Sequence, residues 1–137
     1  MSEIPLHLMA HPDDLVVARL DADTQPEWDW RRGPFAAITM TADETSVVTL
    51  ADGVPADLPT EGPFRAVEVA GPLEFGMWGV MAEILAPLVA AHISVLAMST
   101  FDTDWILVKT DEVTAAGQAW RRAGLVFTPS SLSGSLT

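Results

Sequence analysis

The sequence predicts an α+β protein, with antiparallel sheets, helices packed on one face, and two small domains of which the first is reduced. Three observations lead there. Short runs rich in β-branched residues recur between turn signals, as in Leu15–Leu20, Thr45–Leu50 and Ile93–Ser99. Two stretches carry apolar residues at helical spacing, near 77–91 and 112–123. In the second half these elements fall in the order strand, helix, strand, strand, helix, strand, the split β-α-β-β-α-β arrangement. With 49% apolar residues, a 137-residue chain can bury one good core or two small ones.

The first half alternates and turns too often for a helical protein. Leu15–Leu20 reads as a strand and Asp21 to Gln25 as a polar turn. Pro26 suits a first helical turn, so Pro26–Trp30 is expected to start a short helix that Gly33-Pro34 ends. Phe35–Met40 and Thr45–Leu50 form a hairpin around Thr41–Glu44. Pro55, Pro59 and Pro63, with two glycines, make 51–63 a surface connection.

Phe64–Ala70 then resumes a strand. Met77, Val80, Met81, Ile84, Leu85 and Leu88 share one helix face, with Gly79 weakening its start and Pro87 bending or tightening its end. Ile93–Ser99 and Trp105–Lys109 read as hairpin neighbours across a turn at Phe101–Asp104. Asp111 is placed to cap a second helix whose face is Val113, Ala116, Trp120 and Ala123, and Gly124 to stop it. Leu125–Phe127 adds a last short strand. The resulting division is 1–62, 63–128 and a flexible, serine-rich tail at 129–137.

Charge and composition narrow the partners. A formal charge of -12 repels phosphate backbones, and the few basic residues form no stripe, so nucleic acid is excluded as a partner. No run approaches the ~18 apolar residues of a spanning helix, and the first residues lack the basic start of a signal peptide. The expectation is a cytoplasmic protein without a membrane partner. The chain has no cysteine, which removes disulfides, thiolate metal sites and cysteine nucleophiles.

Val69-Ala70-Gly71-Pro72-Leu73-Glu74-Phe75-Gly76, then Gly79-Val80-Met81-Ala82, then Ser99–Val108 resemble ACT-domain proteins of the small bacterial tandem-ACT family, related to the amino-acid-sensing CASTOR proteins. The resemblance covers about 64–125; the N-terminal section is compatible with a divergent first ACT-like domain. It implies ferredoxin-like domains that bind amino acids at contacts between domains or subunits and regulate other proteins. Carried onto this chain, it places Gly71 to Phe75 beside the ligand backbone, and Phe101 and Asp104 beside its amino end or side chain.

The residues themselves allow the same reading. Backbone N–H groups at the start of a helix near 75–78 can receive a carboxylate at the positive end of the helix. Gly71, Gly76 and Gly79 permit close backbone approach, although a turn built for packing explains the glycines equally. Asp104 can receive an ammonium or guanidinium group, with Asp102 supporting it or closing the turn. Thr100 and Thr103 can contact a ligand or satisfy the turn, Phe101 can cover a ligand stem or pack, and Glu74 can meet an amine or face solvent. With the positions that the resemblance implies, the expected ligand-binding set is Gly71, Leu73, Glu74, Phe75, Thr100, Phe101, Asp102 and Asp104.

Catalysis has less support. His7, His11 and His92 lack compact metal-ligand spacing, His11-Pro12-Asp13-Asp14 needs distant ligands, and no nucleophile arrangement or phosphate loop is present. The reading is thus a non-enzyme with no cofactor or metal. It binds a small amino acid or related zwitterion, pairs as a homodimer and signals to a protein output partner. A structural interaction module that binds no ligand is the alternative.

Overall fold

The computed structural model describes residues 6–70 and 79–129. The expected ligand contacts Gly71, Leu73, Glu74 and Phe75, the positions Gly76, Met77 and Trp78, and the tail from 130 lie outside the described residues. The described elements are β1 (His7–Asp21), β2 (Ala37–Met40), β3 (Glu44–Leu50), β4 (Thr60–Val69), α1 (Val80–Ala90), β5 (Val95–Ser99), β6 (Asp104–Lys109), α2 (Val113–Arg122) and β7 (Val126–Pro129). They are an α+β set, predominantly antiparallel, with two helices.

By compactness the chain divides into one unit of 1–12 with 65–137 and a second of 13–64. The sequence predicts a division at 62–63, whereas the compact units meet at 12–13 and 64–65. Two strands, β1 and β4, contribute residues to both units.

The 13–64 unit is built of strands. Leu15–Asp21 pairs antiparallel with β3, and β3 with β2. The Thr41–Glu44 hairpin closes as expected: Glu44 O accepts from Thr41 N–H at 2.9 Å, while Thr41 Oγ1 accepts from the amides of Asp43 and Glu44 at 3.1 Å. Leu15, Ala18, Leu20, Phe35, Val47, Val48 and Phe64 are buried here. The short helix expected at 26–30 does not form. A lone turn fixes several dihedrals for few hydrogen bonds. The Trp30 carbonyl is instead held by the Thr49 hydroxyl at 2.8 Å and the Arg32 amide at 2.9 Å.

The other unit has strand order β5-β6-β4-β1-β7. Its final strand corrects the expected all-antiparallel sheet, because β7 runs parallel to β1, His7 to Ala10 against Val126 to Pro129. Strand β1 is also much longer than the Leu15–Leu20 run suggests. Pro12 lies between its ladder to β7, which ends at Ala10, and its ladder to β3, which starts at Leu15. A residue without an N–H is tolerated at such a gap.

One apolar cluster takes Leu8 and Ala10 from β1, Val67 and Val69 from β4, Ile106 and Val108 from β6, and Phe127 from β7. Both helices bury their apolar faces in this cluster, through Val80, Ile84 and Leu88, and through Ala116, Ala119 and Trp120. Alternate strand residues and both helix faces therefore meet on one side of the strands. Trp120 is completely buried and its Nε1–H donates to Ile84 O at 2.8 Å, which ties α2 to α1.

Both helices end in the same hydrogen-bond pattern. After α1, Ile93 N–H donates to Leu88 O and His92 N–H to Val89 O; after α2, Leu125 N–H donates to Trp120 O and Gly124 N–H to Arg121 O. These are Schellman closures, in which one residue turns left-handed and the next returns to the core. Gly124 takes that role at φ 92, as expected, but in α1 it falls to His92 at φ 60. Pro87 is accommodated inside α1 and its carbonyl accepts from Ala91 N–H at 3.1 Å. Gly79 is the left-handed residue before α1 rather than a weak point within it. Asp111 sits in a 3-10 turn at Thr110–Glu112, and α2 has no side-chain cap. Ala123 is exposed at the helix end, so the buried face runs through Ala116, Gly117, Ala119 and Trp120.

Three substitutions test this packing. A Cβ at Gly117 would stand 2.5 Å from the Phe127 ring, so Gly117→Ala should destabilise by about 1–3 kcal/mol in urea unfolding. Gly124 has open space around it, so Gly124→Ala meets backbone strain alone and should cost about 1 kcal/mol. His92→Gly relieves the same strain and should have the opposite sign, raising the melting temperature.

Candidate functional site

The described part of the expected site is the turn between β5 and β6. Asp104 opens β6 and lies opposite Ser99, the last residue of β5. By alternation it shares a side with Ile106 and Val108, the side that carries the helices. The residue is partly exposed, and Oδ1 accepts the Ser99 hydroxyl at 2.7 Å in a surface hydrogen bond. The other oxygen makes no hydrogen bond with a described residue. One lone-pair set is thus fixed by the protein while the second can receive a cationic donor.

Both threonines make hydrogen bonds within the protein. Thr100 N–H donates to Thr103 O at 2.8 Å, and the Thr100 hydroxyl accepts from Thr103 N–H at 3.2 Å and donates to Thr103 O at 3.1 Å. The Thr103 hydroxyl donates to Val69 O, the last residue of β4. Thr100, expected among the ligand contacts, therefore spends its hydroxyl within the turn. Thr103 anchors the turn to the strand that leads into 71–78. Phe101 stands at the tip with 83% of its surface exposed, and Asp102 is exposed beside it. The structure brings Asp104, Ser99 and Thr103 together at the end of β4; Phe101 and Asp102 project from the same turn.

Sequence reasoning missed a second cluster, because its members lie far apart in the chain. His11 Nε2 and Glu68 Oε1 are 3.0 Å apart, and the His11 ring stacks on Trp105 with centroids 5.6 Å apart. Trp105 alternates with Asp104, so this group occupies the opposite side of β6. Only the shared polar-out parity of His11, Glu68 and Trp105 along their strands was available as a signal. Among the described residues, no three His, Cys, Asp or Glu side chains are grouped to hold a metal ion. An open groove of about 550 Å³ runs between α1 and α2, lined by Glu83, Ala86, Pro87, Ala119, Arg122 and Leu125 among others. None of the described residues expected to bind ligand lines it.

The β4-α1-β5-β6-α2 order around this turn agrees with comparison to known proteins. Residues 60–122 match the ACT domain family. ACT domains bind small amino-acid ligands in regulation. The matched segment holds the Asp104 turn and both helices, but neither β1 nor β7, which complete the core around it.

Solved structures extend the likeness. A protein from Agobacterium tumefaciens, determined by X-ray crystallography, is 27% identical with a TM-score of 0.85, covering 92% of this chain and 94% of that one. A Vibrio cholerae protein of unknown function, described as a possible transport protein, is 17% identical with a TM-score of 0.67, covering 87% of this chain and 90% of that one. The aspartate kinase of Clostridium acetobutylicum, described as an allosteric enzyme, is 9% identical with a TM-score of 0.59. That match covers 81% of this chain and 32% of the kinase. The last two likenesses concern the fold alone. No curated protein matches the chain. Among the described residues, no helix is long and apolar enough to cross a membrane.

Thr100→Ala removes both hydroxyl bonds within the turn and should cost about 1 kcal/mol locally. The expected readout is faster amide hydrogen exchange at 100–104, with the helices unchanged.

Proposed function

We propose that this protein is a non-catalytic binder of a small amino acid or related zwitterion, and that occupancy changes its affinity for a protein partner or a second copy. The carrying observation is Asp104, a partly exposed acid with one carboxylate oxygen held by Ser99 and the other without a hydrogen bond to a described residue, at the end of β4 within an ACT-matched segment. An acid so placed receives an ammonium or guanidinium group without first rearranging, because Ser99 sets its orientation. Gly71, Leu73, Glu74 and Phe75 would supply the other end of the site, receiving the ligand carboxylate and backbone. The reading includes a cytoplasmic homodimer and a tandem relation between the units. In it the N-terminal section, 1–62, is a divergent ACT-like domain, as the resemblance to the CASTOR proteins suggests.

The aspartokinases supply the regulatory precedent: one neighbour, the Escherichia coli aspartokinase III, was determined with aspartate and ADP and is 11% identical. That ligand pair is a property of the kinase, and this chain covers 35% of it. The alternative is a ligand-free interaction module. It draws on Thr100, whose hydroxyl is consumed within the turn, and on Thr103, whose hydroxyl serves β4.

A thermal-shift screen of the amino acids separates the two. A ligand selective for the folded state at about 100 times its Kd stabilises by about 2.7 kcal/mol. At least one amino acid should therefore raise the melting temperature by several degrees. No shift with any of them favours the interaction module. For the amino acid found, calorimetry on Asp104→Ala should show at least a tenfold loss of affinity, about 1.4 kcal/mol, while the empty protein melts within a few degrees of the parent. Equal destabilisation of the empty protein with unchanged affinity would refute the role of Asp104.

A further inference from the structure

We draw no further inference here: the strongest candidate, the open groove between α1 and α2 lined by Glu83, Ala86, Ala119, Arg122 and Ala123 among others, is a mostly apolar helix surface and nothing in the structure shows what covers it.

Discussion

The unit that holds the candidate site depends on the enclosure of Trp120. Its ring fills the space between α2, α1 and β7, and its one polar atom must find an acceptor there, because an unpaired indole N–H in an apolar interior costs free energy. The Ile84 carbonyl meets that need, and the bond sets how closely the helices approach. Phe127 tilts against the same ring at 5.6 Å, and only a residue without a side chain fits at position 117 beside it. The guanidinium of Arg121 lies over the outer side of Phe127, 5.3 Å from its centroid, and donates to the Phe127 carbonyl. Removing the indole would therefore disturb a helix pair, a strand and a turn together.

This core cannot be completed by the ACT-matched segment alone. Leu8 and Ala10 enter it from the first half of β1, which precedes the 13–64 unit in the chain, and Phe127 enters from β7. Backbone bonds hold the inserted strand at its edges, from Ala70 N–H to His7 O and from Val126 N–H to Leu6 O. The placement explains how β7 comes to lie parallel to its neighbour. A strand from outside the β-α-β-β-α-β sequence occupies the position beside it.

The candidate site is supported by that packing. Thr103 attaches the β5–β6 turn to the end of β4, and the ladder between β5 and β6 places Ser99 against Asp104. The acid is consequently held by a side chain across a paired hairpin. The two faces of β6 then differ in kind. Asp104 has one oxygen without a hydrogen bond to a described residue on the helix side, whereas Trp105 on the other side is stacked against His11, which is itself bound to Glu68.

Much of this was legible in residue order. The hairpin at Thr41–Glu44, the helix faces through Ile84 and Trp120, the left-handed stop at Gly124 and the turn before β6 all follow from local periodicity and turn chemistry, which act over a few residues. The resemblance that pointed to an ACT domain rested on the same short segments. Long-range pairing decided the rest. The start of β1 near His7 has no clear strand signal because Pro12 and the acids beside it break the alternation, and burial of Leu8 against distant strands supplies the missing stabilisation. Pro26–Trp30 had helical punctuation but lost its carbonyl to Thr49, since a tertiary hydrogen bond outweighs an unpropagated turn. Asp104 was visible as an acid in a turn; that Ser99 occupies one of its oxygens, and that Thr100 turns inward, depends on the register of two strands, which only the folded chain determines.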